Sequence, residues 1–299
     1  MSRVPSVSIL MPVRNEERYL QAALDSLYRQ TLDDWELVAV DDGSSDSTPR
    51  ILASAAASDS RIKMIRRDGG GLVAALNTGL VACSFKHFPR TSLKQGMVDY
   101  ETWQNSLQNH TLISKDLFVE SPFVHPGVMC RRSILEQLGG YRDHGWAEDY
   151  DLWLRMAAAN VHFARLPGRF FFWRDHPERA TRTMDEYSSN AFRSCKMHYL
   201  RQGFLKGCSE VVMAGAGIEA RAWQRLLAAN GISVCHWLDV DPRKIGRTLH
   251  GAQVTRPEEL DLSGRKMLAA IGVRGARQQF RELANQLGWQ EGMDFVCVA

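Results

Sequence analysis

Residues 7–20, VSILMPVRNEERYL, and residues 35–48, WELVAVDDGSSDST, decide how this chain folds. Each is a short apolar run that turns polar abruptly. Val7–Met11 reads as a buried strand, and Asn15 then caps a helix whose apolar positions Tyr19, Leu20, Ala23, Leu24, Leu27 and Tyr28 recur at helical spacing. Trp35–Val40 reads as a second strand closed by Asp41, Asp42 and Gly43. Thr48 before Pro49 is an N-cap with proline at the first helical position, so a second helix follows through the alanine-rich segment. Ile62–Ile65 continues as a strand and Gly71–Cys83 as a helix. Strands alternating with helices make a parallel sheet with helices on its faces. Ligands of such sheets sit beyond the carboxyl ends of the strands, here Pro12–Glu16, Asp41–Asp46 and Arg66–Gly71.

Beyond Ser84 the rhythm lapses until Val124, with one helix expected over Met97–Leu107 and loop elsewhere. A strand is then expected at Val128–Cys130 and a helix at Ser133–Leu138, stopped by Gly139 and Gly140. Glu148–Ala159 reads as a strongly apolar helix, His162–Leu166 and Arg169–Trp173 as strands, and Ser188–Leu200 as a closing helix. Arg201–Cys208, with two glycines, is the expected linker. A second cycle follows: strand Glu210–Ala214, a Gly215-Ala216-Gly217 turn, helix Glu219–Ala229 and strand Ser233–Leu238 ending in Asp239. Lys266–Ile271, Ala276–Leu287 and Phe295–Val298 complete a smaller α/β unit. The domains expected are therefore 1–204 and 205–299.

Composition narrows the class. The chain has 299 residues, 44% hydrophobic and 24% charged, which excludes a mainly disordered or collagen-like chain. Six cysteines without a C-x-x-C pair suit reduced thiols better than a disulfide framework. A formal charge of +3 is too mild to argue for nucleic acid as a partner. No apolar stretch approaches the roughly 20 residues of a transmembrane helix. A cytoplasmic protein is expected, free or peripheral at the inner membrane.

The chemistry lies in the acids at the strand ends. Asp41 and Asp42 project into the crevice, where a carboxylate accepts a nucleobase N–H or ribose hydroxyls, and Asn15 and Glu16 reach the same place. The same Asp-Asp-Gly-Ser-Ser-Asp stretch also reads as a simple turn with a helix cap. Two further segments follow the first pair: RDGGGLVAALNTGL at 67–80, then SPFVHPGVMCRRSILEQLGGYRD at 121–143. WAEDYDLWLRMA at 146–157 and FFFWRDHPERATR at 170–182 come next. In this order they resemble the family 2 glycosyltransferases, inverting enzymes of the GT-A fold, over most of residues 5 to 200.

That resemblance implies a GT-A type α/β sheet flanked by helices, with a small Rossmann-like α/β domain appended. It implies a nucleotide-sugar donor, a UDP-sugar above all, held by Pro12, Asn15, Glu16, Asp41 and Asp42 and walled by Arg67, Gly71 and Asn77. Asp149 matches the general base for the acceptor hydroxyl, with Glu148 and Asp151 orienting it or adjusting its pKa. The acceptor implied is a sugar, lipid-linked or protein hydroxyl in polysaccharide or glycoconjugate biosynthesis. His176 falls where related enzymes place a metal-binding histidine, and His125 is expected to order the acceptor loop or pack beneath it.

A divalent Mg or Mn ion is expected from the family. Its usual D-x-D acids have no counterpart, because no aspartate or glutamate lies between Asp68 and Asp99. The acids at Asp149 and Asp151 and at Asp239 and Asp241 carry the spacing elsewhere. The gap reads as an excised segment that takes a strand and the metal ligands with it, so weak or metal-free donor binding is expected.

In the C-terminal unit Gly215, Gly217 and Asp239 are the candidate ligand residues, although the third glycine of a dinucleotide fingerprint is replaced by Ala220. Three functions stay open: an inverting glycosyltransferase, a degenerate transferase fold kept for binding or scaffolding, and an NAD-dependent sugar-nucleotide oxidoreductase working through the C-terminal unit.

Overall fold

A computed structural model describes residues 5, 7–67, 82–176, 178–273 and 275–299. Gly71 and Asn77, and the helix expected over 71–83, lie outside the described residues except for its last two positions. The chain divides into two compact units, residues 1–81 with 129–143, and residues 82–128 with 144–299.

The first unit carries strands β1 (Val7–Val13), β2 (Trp35–Asp42) and β3 (Ile62–Arg67), all parallel and in the order β1-β2-β3. Helices α1 (Leu20–Tyr28) and α2 (Thr48–Ser58) connect them. Leu20, Leu24, Leu37, Ala39, Leu52 and Ile62 form the core, as their apolar spacing predicts. Register places Val13 beside Asp41 and Asp42 beside Arg67, so the polar ends of all three strands lie at one edge. Helix α1 begins later than expected. Asn15 adopts φ 55° and breaks the helical path, so residues 15–19 form a turn in which Tyr19 N and Leu20 N both donate to Glu16 O.

The second unit pairs β4 (Cys83–Phe88) in parallel with β5 (Leu166–Arg174). Cys83–Phe88 was expected as helix end and loop, and it is a strand. Its inward face carries a histidine, His87, which hides the apolar alternation; the Glu101 carboxylate accepts His87 N at 2.7 Å and makes that burial possible. The single strand β5 replaces the two expected over 162–173. Val128–Cys130 is not a strand; three apolar residues cannot distinguish strand from extended loop.

Helices α3 (Gln95–Ser106), α4 (His110–Asp116), α5 (Glu148–Ala158) and α6 (Ser189–Gln202) surround that pair in sequence. A six-stranded sheet follows, ordered β11-β10-β6-β7-β9-β8, from β6 (Glu210–Ala214), β7 (Ser233–Leu238), β8 (Thr248–Leu249), β9 (Ala252–Thr255), β10 (Met267–Ala269) and β11 (Phe295–Cys297). Helices α7 (Ile218–Ala229) and α8 (Ala276–Gln286) complete it. The β8–β9 hairpin was not expected; its turn is His250-Gly251, with φ 48° and 84°, the positive pair that a two-residue hairpin demands.

The division between units does not fall at residue 204/205. Met197 and Leu200 of α6 share a buried core with Val211, Met213, Trp223 and Trp237 of the sheet region, which joins the two sides of that boundary. Arg165, 6% exposed, binds three separated segments of the same unit by donating to Cys83 O at 3.0 Å, Leu107 O at 3.0 Å and Pro122 O at 2.7 Å. Arg165→Leu leaves three carbonyls without those donors and is expected to lower unfolding stability by about 3 kcal/mol, read from urea denaturation.

Candidate active site

In the first unit the turn after β1 is bound to the turn after β2 by side chains acting on backbone. Asn15 N donates to Ser44 Oγ at 2.9 Å, and Glu16 N to Thr48 Oγ1 at 2.8 Å. Glu17 N donates to Asp46 Oδ2 at 3.0 Å, and Ser47 N returns a bond to Glu17 Oε2 at 2.9 Å. Ser45 N donates to Asn15 Oδ1 at 2.9 Å. Burial of Asp46 alone would raise its pKa, but hydrogen bonds from Thr48 and Glu17 hold the carboxyl below its usual range. The two polar turns therefore form one preformed wall.

Asp41 is fully buried and Asp42 6% exposed, at the carboxyl end of β2. Ser44 N donates to Asp41 Oδ1 at 3.1 Å, and the Arg14 guanidinium stands 4.0 Å from Asp42 Oδ2. Pro12, half-buried, lies opposite Val40. Sequence thus brings Pro12, Asn15, Glu16, Asp41, Asp42 and the backbone of Arg67 to one strand-end edge.

In the second unit, Glu148, Asp149 and Asp151 occupy the first turn of α5, a placement favoured by the helix dipole. Their environments differ. Glu148 is 4% exposed; Tyr187 donates its hydroxyl to Oε2 at 2.8 Å, and His125 Nδ1 lies 3.4 Å from Oε1. Burial would raise Glu148, but the hydrogen bond and charge of His125 hold it below the ordinary value. Asp151 is fully buried and accepts from Arg155 Nε at 2.7 Å, Tyr199 Oη at 2.6 Å and Trp146 Nε1 at 3.1 Å. Asp149 is half-buried, and Tyr150 N donates to its Oδ1 at 2.6 Å. Desolvation first, then the neighbouring Glu148 charge, push its pKa up to about 7, against a smaller opposing effect of His125. A cavity of about 200 Å³ opens onto Asp149, lined also by His125, Tyr187, Tyr100 and Glu120.

Asp149 and His125 line the same cavity, and the Glu148 charge helps raise the Asp149 pKa. Asp151 does not face the cavity; it anchors the helix from behind. Tyr187, Tyr100 and Glu120 were missed, because each lies in a segment with no motif of its own.

His176 is half-buried after β5. Among the described residues, no group of three His, Cys, Asp or Glu side chains could hold a metal ion. The oxygens of Asp151 are occupied as described. Asp239 is occupied likewise, accepting Ala216 N at 2.9 Å, Asp241 N at 2.9 Å and Lys244 Nζ at 2.7 Å. These residues do not fit a divalent cation. Asp239 works as a cap on the Gly215-Ala216-Gly217 turn. Gly215 has φ 93°, and a Cβ there would meet Ala270 O at 2.9 Å, so close strand packing demands glycine at that position.

Residues 8–88 match the Glycosyl transferase family 2 domain. The putative glycosyltransferase EpsE of Bacillus subtilis (strain 168) is 31% identical over 192 residues, spanning 52% of this chain and 68% of that protein. This chain belongs to glycosyltransferase family 2. The O-antigen biosynthesis glycosyltransferase WbnJ of Escherichia coli is 25% identical over 232 residues, 67% of this chain and 89% of that protein. The uncharacterized glycosyltransferase EpsJ of B. subtilis (strain 168) is 43% identical over 79 residues, but the chain spans only 23% of its length. No helix among the described residues is long and apolar enough to cross a membrane.

The raised pKa of Asp149 has a sign that stability can report. Between about pH 4 and about pH 7 the folded chain holds a proton that the unfolded chain releases, so stability falls as pH rises through that window. Asp149→Asn is expected to flatten that slope and to add about 1 kcal/mol or more at pH 7.5, measured by urea unfolding across pH.

Proposed function

We propose that this chain is an inverting glycosyltransferase that moves a sugar from a nucleotide donor, a UDP-sugar as the first candidate, to an acceptor hydroxyl in polysaccharide or glycoconjugate assembly. The observation that carries the reading is Asp149: a half-buried carboxyl with a pKa pushed up to about 7, opening onto a cavity, while Glu148 accepts from Tyr187 and Asp151 from Tyr199, Arg155 and Trp146. A general base works best when its pKa lies near the working pH.

In this reading Asp41 and Asp42 accept hydrogen bonds from the nucleoside, with Pro12, Asn15 and Glu16 as the preformed wall; Arg67, Gly71 and Asn77 are assigned to the same pocket by the family resemblance alone. The acceptor oxygen attacks the anomeric carbon as the bond to the diphosphate oxygen breaks. The hydroxyl proton passes to Asp149, and the nucleoside diphosphate leaves with the bonding pair. One carboxylate on the acceptor side suffices for inversion. Glu148, held ionised by His125 and Tyr187, keeps the Asp149 carboxyl basic by like-charge repulsion. No step is assigned to a metal, since the described residues do not fit one. Calorimetric titration of UDP with and without manganese reads that point directly: equal affinity is expected, and tight binding only with manganese would overturn it.

The function is tested by UDP release from a panel of UDP-sugars with sugar acceptors. Asp149→Asn is expected to lower kcat by about 10³-fold with UDP affinity unchanged, and Asp42→Asn to weaken UDP binding. Wild-type kcat/KM should fall about tenfold per pH unit below the Asp149 pKa, since the base acts deprotonated. Turnover indifferent to Asp149→Asn removes the base assignment. UDP binding without turnover of any donor favours a binding or scaffold role.

A further inference from the structure

The second unit holds another hollow, about 550 Å³, that shares no lining residue with the Asp149 cavity. It lies between α6 and the end of α7. Trp146, from the loop before α5, is half-buried there, and the exposed His198 ring of α6 stands 5.5 Å from it at 46°. His144 adds a third ring, 5.3 Å from Trp146. Met197 and Leu226 complete an apolar floor. The volume suits a small-molecule ligand.

The lining selects the ligand. No aspartate or glutamate among the described residues lines the hollow, so a cation would find no counter-charge. Its one permanent cation, Arg201, is exposed to water, and its Nη1 donates to Asn230 O at 3.0 Å and Asn230 Oδ1 at 3.3 Å. No buried charge there calls for an anion. Gln202 Nε2 stands 2.7 Å from His198 Nε2, so the amide donates and the imidazole carries its proton on Nδ1. The rim thus offers an amide oxygen to accept and an imidazole N–H to donate, both uncharged. Aromatic faces below and neutral donors and acceptors around the edge match a pyranose ring, which has C–H groups on its faces and hydroxyls at its edge.

We propose that this hollow is a binding site for a neutral saccharide, with one pyranose ring on the Trp146 indole and its hydroxyls on His198, Arg201 and Gln202. The site is separate from the transfer reaction and does not depend on the role given to Asp149. Its position is close to that turn all the same. Trp146 Nε1 donates to Asp151 Oδ1 at 3.1 Å, the oxygen that also takes the Tyr199 hydroxyl at 2.6 Å. The ring that floors the saccharide site therefore also holds the start of α5 from behind.

Calorimetry and tryptophan emission on the full chain test it, with cellobiose, lactose, N-acetylglucosamine and glucose 6-phosphate as probes. At least one neutral sugar is expected to bind with a Kd on the order of 1 mM and to change the emission. Gln202→Ala and His198→Ala, both at exposed positions of α6, should each weaken that binding about fivefold. Trp146→Phe keeps a ring but removes the indole, so calorimetric binding should persist while the emission change disappears. Asp149→Asn should leave the affinity unchanged, which separates this site from the acceptor cavity, and turnover of the wild-type chain reports the transferase reading independently. The assignment is overturned by no neutral sugar binding, by glucose 6-phosphate binding more tightly than every neutral probe, or by an affinity indifferent to both α6 variants. An affinity lost in Asp149→Asn but kept in Gln202→Ala overturns it equally.

Discussion

Three carboxylates within four residues at the start of α5 set the terms for the unit around them. The helix dipole welcomes acids there, but it cannot offset three mutually repelling charges in a partly dry turn. The fold resolves this by satisfying two of them. Asp151 draws Tyr199 from α6, Arg155 from its own helix and Trp146 from the preceding loop. Glu148 draws Tyr187 and His125. What remains for Asp149 is backbone N–H groups, and the result is a carboxyl whose proton is held until about pH 7. The raised pKa of Asp149 is the counterpart of stability at its neighbours.

The strand-end edge of the first unit follows a different logic. Its acids stand at the end of a strand, and the turn around them is held by backbone N–H groups bonded to Ser44, Thr48 and Asp46. Such a turn spends its small polar side chains on itself. A nucleoside meeting it would find the acceptors already placed and would lose little affinity to ordering the protein.

The sheet and most helices could be read from sequence because their signals are local. Apolar runs of strand length and the spacing of Leu20, Leu24 and Leu27 each carry their own meaning, whereas Thr48, read as an N-cap, is the first residue of α2 after Ser47 and its hydroxyl accepts Glu16 N. Failures came where a long-range partner decides the outcome. His87 is tolerated in a strand only because Glu101, fourteen residues on, answers it. Asn15 starts no helix because Ser44 and Ser45 hold it in the left-handed region. Among the acids, the motif singled out Asp149, but sequence alone could not tell that Asp151, two residues away, is consumed by Tyr199. The Tyr187 hydroxyl carries no motif at all; only the folded chain shows what it touches.

Helix α6 faces two ways. Tyr199 holds Asp151 behind the acid turn, while Met197 and Leu200 lie in the core of the C-terminal sheet region. A chain cut after residue 204 would keep every motif of the transferase half yet expose an oily stripe on its last helix. The C-terminal sheet is thus no detachable cassette: recombination could not exchange it for another module without also redesigning the rear support of the reactive turn.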